Sequence, residues 1–149
     1  MISKILVPTD GSRAARKAAM YTVDLAKQLK ATVPALRIID KRSFMGQTVP
    51  ARAAARHVIE PLEDYLRGAA EGYTGEIQKL CDKNGVRLKT IITAGHPVEI
   101  IVKEAARAKV NLIIMGSHGK SALAVAVLGS VTYGVIHKET RIPVLIVRR

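Results

Sequence analysis

Apolar positions along the chain fall into two alternating rhythms. Residues 4–9, KILVPT, form a short β-prone run that stops at Asp10-Gly11-Ser12, a turn cluster whose serine is available as a helix N-cap. Ala15, Ala18, Ala19, Thr22, Leu25, Ala26 and Leu29 then recur at helical spacing and predict a helix with a small-residue face suited to close packing on a sheet. Residues 32–39, TVPALRII, read as a second strand, with Pro34 tolerated near a strand start or on an edge. The polar, basic and alanine-rich residues 40–56 suggest a loop running into a helix. From Val58 a helical period passes through Leu62, Tyr65, Leu66, Ala69, Ile77 and Leu80 to a stop at Asn84-Gly85, with Gly68, Gly72 and Gly75 marking a place for a break.

Residues 86–93, VRLKTIIT, predict a third strand. His96-Pro97 opens a helix with proline at its first position and a stripe of Val98, Ile101, Val102, Ala105 and Ala108. A fourth strand, VNLIIM at 110–115, empties into GSHGKSALAVAVLGS at 116–130. A helix around Val131–Glu139 and a last strand, PVLIV at 143–147, complete the chain. The order βαβαβαβαβ implies an α/β fold: a five-stranded parallel, doubly wound, Rossmann-like sheet with helices on both faces, because each right-handed crossover lays its helix against the sheet. With 149 residues and no repeat or linker, one domain spanning 1–149 is expected.

Composition narrows the classes. Apolar residues make up 48% of the chain, but they are aliphatic: there are four Tyr, one Phe and no Trp. The longest apolar runs, 122–128 and 143–147, fall far short of the roughly 20 residues of a membrane span, and the N-terminus has no secretory apolar core, so a soluble cytoplasmic protein is expected. The single Cys81 allows no internal disulfide, and His57, His96, His118 and His137 lack zinc-site spacing, so no metal cage is expected. A net charge of +12 attracts anions, including nucleic acid. Its basic residues divide evenly between the halves of the chain, and a specific nucleic-acid interface is not expected.

Chemistry concentrates at two strand ends. In doubly wound sheets, ligands bind beyond the carboxyl ends of the strands where the strand order reverses. In the order 3-2-1-4-5, the first and fourth strands are neighbours at that point, delivering Pro8-Thr9-Asp10 and Gly116-Ser117-His118-Gly119-Lys120-Ser121 to one crevice. The Gly119-Lys120-Ser121 triplet lacks the glycine a P-loop needs five residues earlier, where Ile114 stands, and no G-x-G-x-x-G follows the first strand. What fits is G-x2-G-x9-G-S: Gly116, Gly119, then Gly129-Ser130 opening a helix whose first amides, at Ser130, Val131 and Thr132, favour an anion. No general base is aimed at an acceptor, which favours binding over catalysis and assigns no catalytic residue; Asp10 or His118 placing a water is the route to slow hydrolysis.

The glycine spacing, with VPTDGS near the N-terminus, GHP at 95–97 and PVLIV at the C-terminus, resembles the ATP-binding branch of the universal stress protein family across essentially the whole chain. The resemblance implies ATP as the cofactor, accompanied by Mg²⁺ or Mn²⁺ held through the phosphates rather than by protein ligands. It implies that Pro8, Thr9 and Asp10 line the adenosine end and that the backbone of Ile38 meets the adenine edge. Gly116, Ser117, His118, Gly119, Lys120 and Ser121, with Gly129, Ser130, Val131 and Thr132, would cradle the phosphates. Met115, just before the loop, is counted with this set, although its place suits the last core residue of the fourth strand better than a sulfur contact to the base. The expected function is a nucleotide-dependent regulatory module of the stress response, with a slow ATPase or a nucleic-acid-associated basic protein as alternatives. An apolar last strand at a sheet edge is an aggregation template when bare, so an edge-to-edge homodimer through 143–147, also implied by the resemblance, is expected.

Overall fold

A computed structural model describes residues 1–40, 59–118, 128–139 and 141–148. The elements follow the predicted order: β1 (Ile5–Thr9), α1 (Arg13–Leu29), β2 (Val33–Ile39), α2 (Ile59–Asn84), β3 (Leu88–Ala94), α3 (Pro97–Arg107), β4 (Leu112–Gly116), α4 (Ser130–Lys138) and β5 (Val144–Val147). The five strands form one sheet of order β3-β2-β1-β4-β5, and every neighbouring pair is parallel. The expected doubly wound fold is therefore the observed one.

Alternation along the apolar strands divides the core. Ile5 and Val7 of β1, Val33 and Ala35 of β2 and Leu112 and Ile114 of β4 pack with Ala18, Val23 and Ala26 of α1 and Ile77 and Cys81 of α2. Leu6, Leu36, Ile38, Ile113 and Met115 point to the opposite face, against Ile101 and Ala105 of α3 and Val135 of α4. Strands buried on both faces need apolar residues at consecutive positions, which is why these runs show no polar alternation.

Several details depart from the apolar pattern. The buried side of α1 is Ala14, Ala15, Ala18, Ala19, Thr22, Val23 and Ala26, whereas Leu25 is half-buried and Leu29 exposed. The stripe is turned toward the smaller residues, because small side chains let the helix lie close to the sheet. Helix α2 is continuous through Gly68, Gly72 and Gly75, with open space where a Cβ would stand at each. Those glycines carry a propensity cost without breaking the helix, and α2 stops at Asn84, where Gly85 takes φ 66°. The region 41–58, including the basic segment noted above and His57, lies outside the described residues. Pro34 sits second in β2, an interior strand, and fits by lying near the strand start. No described helix is long and apolar enough to cross a membrane.

Candidate functional site

The turn leaving β1 is built from its own side chains. The Gly11 amide donates to Thr9 Oγ1 at 3.3 Å, the Ser12 amide to Asp10 Oδ1 at 2.8 Å, and the Ala15 amide to Ser12 Oγ at 3.1 Å. One oxygen of Asp10 thus holds the turn while Ser12 caps α1, the arrangement expected of short polar side chains at a helix entry. Gly11 has φ 74°, and a Cβ there would lie 2.5 Å from the Tyr73 ring of α2. Glycine is required on both counts. The Arg37 guanidinium from β2 sits over that ring, 5.7 Å from its centroid. Tyr73 and Arg37 thus support the β1 turn from behind. Sequence reasoning missed both, since nothing in a helical tyrosine's own neighbourhood reveals a glycine 62 positions away.

β1 hydrogen-bonds to β4 only through Ile5↔Leu112 and Leu6↔Ile113, whereas its pairing with β2 continues to Thr9↔Arg37. Amides alternate sides along a strand, and the Ile5 amide points to β2, donating to Thr32 O. Position 8 would therefore donate toward β4, and proline has no amide to give. Pro8 ends the ladder between β1 and β4 at the point where the strand order reverses. Beyond it, Ile114–Gly116 pair only with β5.

At the end of β4 the chain is pinned to the start of α4. Thr132 Oγ1 donates to Gly116 O at 2.9 Å, and the Gly129 amide donates to Ser117 O at 2.7 Å. The Ser117 amide is taken by Val147 O of β5 at 3.0 Å, and Ser117 Oγ lies 2.9 Å from His118 Nδ1, fixing the imidazole beside its own neighbour. Gly129 is the N-cap of α4, with extended backbone and no side-chain cap. The first helical amides, at Ser130, Val131 and Thr132, have no acceptor within the helix, and with the dipole they make this end attractive to an anion. Gly116 serves packing: a Cβ there would come within 2.8 Å of the Ala14 carbonyl carbon, so glycine lets α1 approach the strand.

Comparison with known proteins identifies the relationship. The pattern of the universal stress protein family matches residues 1–148. The chain belongs to the universal stress protein family. Among curated relatives, universal stress protein MJ0577 of Methanocaldococcus jannaschii is 39% identical over 158 residues, covering 100% of this chain and 96% of that protein. The solved structure of MJ0577 superposes with a TM-score of 0.83 at 37% identity, covering 100% of this chain and 97% of that one. A universal stress protein in complex with cAMP (22% identity, TM-score 0.65, 99% and 97% covered) shares the fold. So does one from Archaeoglobus fulgidus in complex with dAMP (15%, 0.64, 98% and 97%).

In this universal stress protein the expected site residues have varied placements. Thr9 is buried, while Pro8 and Asp10 are half-buried at the end of β1. Ile38 lies one residue past the last β1–β2 rung, with its side chain in the core. The Met115 side chain is also core, among Leu6, Ile113 and Val135, so strand packing accounts for it. Gly116, Ser117 and His118 lead out of β4, and Gly129, Ser130, Val131 and Thr132 return at α4. Gly119, Lys120 and Ser121, with the apolar spacer through Val127, lie outside the described residues. The Ser117 and Gly129 amides, both expected near phosphates, are engaged within the protein, whereas the first-turn amides of α4 have no acceptor within the helix.

Proposed function

We propose that this universal stress protein belongs to the ATP-binding branch and acts in the cytoplasm as a nucleotide-dependent regulatory module. The observation that carries the reading is the mouth between β1 and β4. There Pro8 ends the ladder, Asp10 is held by its turn, and Thr132 docks the uncapped N-terminus of α4 onto the end of β4. The residues fit a nucleoside polyphosphate chemically: a carboxylate for ribose hydroxyls, and helix-terminal amides with a serine hydroxyl for phosphate oxygens. The cAMP and dAMP complexes of structural neighbours are in keeping with an adenine nucleotide. A divalent cation, where present, would neutralise phosphate charge, and Asp10, Ser130 and Thr132 would position the nucleotide around it.

We read the site as one for binding and orientation: the Ser12 amide holds one Asp10 oxygen in place, and Ser117 Oγ lies 2.9 Å from His118 Nδ1. The proposal includes a homodimer through β5. This strand is a sheet edge whose Pro143 and Val147 carbonyls face β4, so by alternation the amides of Val144 and Ile146 face outward, available to a second copy. Calorimetric titration with ATP tests the nucleotide reading. Wild type should bind, and Asp10→Asn, which keeps the turn acceptor but loses the charge, should bind about tenfold more weakly. Wild type that binds no adenine nucleotide, with or without Mg²⁺, would refute it.

A further inference from the structure

The even spread of basic residues along the chain conceals their arrangement in space. Each of the five strands is preceded by an exposed basic side chain: Lys4 before β1, Lys30 before β2, Arg87 before β3, Lys109 before β4 and Arg141 before β5. Because all the strands are parallel, these residues share the amino end of the sheet, the pole opposite the nucleotide mouth. Backbone bonds tie their loops side by side. The Thr32 amide donates to Ser3 O, the Val33 amide to Arg87 O, the Asn111 amide to Lys4 O and the Ile113 amide to Pro143 O. In strand order the row reads Arg87, Lys30, Lys4, Lys109, Arg141. At an inter-strand spacing of about 4.8 Å it extends on the order of 20 Å.

Lys30 and Lys109, with φ 54° and 53°, are the two non-glycine residues of positive φ among the described residues. Positions that favour glycine or asparagine are thus occupied by lysine, on either side of Lys4 in the row. None of the five joins an ion pair among the described residues. The carboxylates nearby are engaged: Asp82 accepts from Gln78, Glu104 pairs with Arg107, and Glu139 holds the amides of Arg141 and Ile142. Helix dipoles account for cations in the last helical turns, such as Lys27, Lys83 and Arg107. They also favour Lys30, the C-cap of α1, and Lys109, one residue past the C-cap of α3, while Lys4 Nζ donates to Ala108 O at 3.2 Å. Arg87 and Arg141 lie beyond any last helical turn and extend the row to both edges of the sheet.

We infer that this row binds the phosphodiester backbone of a nucleic acid without reading its bases. A line of cations spaced at strand pitch suits a linear polyanion better than a compact one. The loop residues carrying it, 1–4, 30–32, 85–87, 108–111, 139 and 141–143, include no aromatic residue on which a base could stack.

The test is fluorescence anisotropy with a labelled 20-nucleotide single strand of mixed sequence and one of oligo-dT, titrated between 50 and 200 mM salt. Five phosphate contacts predict a slope of log affinity against log salt of about −3.5, a loss of about 100-fold over that range, equal for the two sequences. The triple variant Lys30→Asn, Arg87→Gln, Lys109→Asn should lower the slope to about −1.4 while leaving ATP binding unchanged. A control triple, Lys17→Gln, Lys79→Gln, Lys103→Gln, removes the same charge from exposed positions outside the row and should leave the slope as in wild type. Equal slope losses from both triples, or no binding by wild type at 50 mM salt, would overturn the inference. Should the row variant fail to fold, wild-type acetylation footprinting decides: the oligonucleotide protects Lys4, Lys30 and Lys109 but not Lys17, and uniform protection overturns the proposal.

Discussion

Replacing Thr132 by valine removes one hydrogen bond and little else, and that bond joins the first turn of α4 to the end of β4. Thr132 is 4% exposed, and its hydroxyl donates to the Gly116 carbonyl at 2.9 Å. Valine preserves the β-branched shape, so the change leaves a half-buried acceptor without its donor. An intramolecular hydrogen bond of this kind contributes about 0.5–1.5 kcal/mol net, and an acceptor left unsatisfied costs about 1–3 kcal/mol. We therefore expect Thr132→Val to lose about 1–2 kcal/mol of stability in nucleotide-free protein, with a fall in Tm of roughly 2–8 °C. Thr132→Ser keeps the hydroxyl and should retain more of the stability than valine does. Urea unfolding gives the comparison: the midpoint should move with the slope unchanged. Because the same bond positions the helix amides proposed to face phosphate, ATP affinity should fall in the valine variant. A valine variant as stable as wild type, or a serine variant destabilised as much as valine, would refute the reasoning.

Other expectations follow from single contacts. Gly116→Ala places a methyl group 2.8 Å from the Ala14 carbonyl carbon, where backbone must move, and should destabilise by about 1–3 kcal/mol in the same unfolding assay. Tyr73→Ala withdraws the ring behind Gly11 and should weaken ATP binding more than that of a 3′-deoxy analogue, if Asp10 meets the ribose; calorimetry with the two ligands reads the difference. Burial, with a smaller contribution from Asp82, pushes the Cys81 thiol from an ordinary 9.0 up to about 11. The unfolded chain thus ionises first, and stability present below pH 9 should decline by up to about 2–3 kcal/mol as pH rises to 11. Denaturant midpoints across that range should show this decline, relative to Cys81→Val. Ile146→Pro removes an outward amide of the edge strand without removing a β4–β5 bond, and should convert the proposed dimer to monomer in sedimentation equilibrium.

The architecture was legible because burial on both faces of a parallel sheet produces short continuous apolar runs, and small-residue periodicity marks the helices between them. Pairings distant in sequence were not. Pro8 reads as an ordinary residue near a strand end until β4 is placed beside it and the missing amide is seen to end a ladder. Gly116 looked like a phosphate-loop glycine, yet the atom it makes room for belongs to Ala14, 102 positions earlier. The lysines and arginines, evenly spaced in the chain, align only when five strand starts are brought to one end. The candidate site was legible as segments, because glycine spacing and strand ends are local signals. Which amides remain to meet a ligand depended on tertiary bonds such as Gly129 to Ser117.

An adenine nucleotide proposed to sit between the ends of β1 and β4, with its phosphates on α4, should be visible in an amide-resolved NMR titration with ATP. Saturable shifts are expected at Gly11 and Ser12 and at Ser130, Val131 and Thr132, with Lys30 and Arg87 at the opposite pole unmoved. Saturable ATP binding that shifts other amides while leaving those of Ser130–Thr132 in place would contradict this placement.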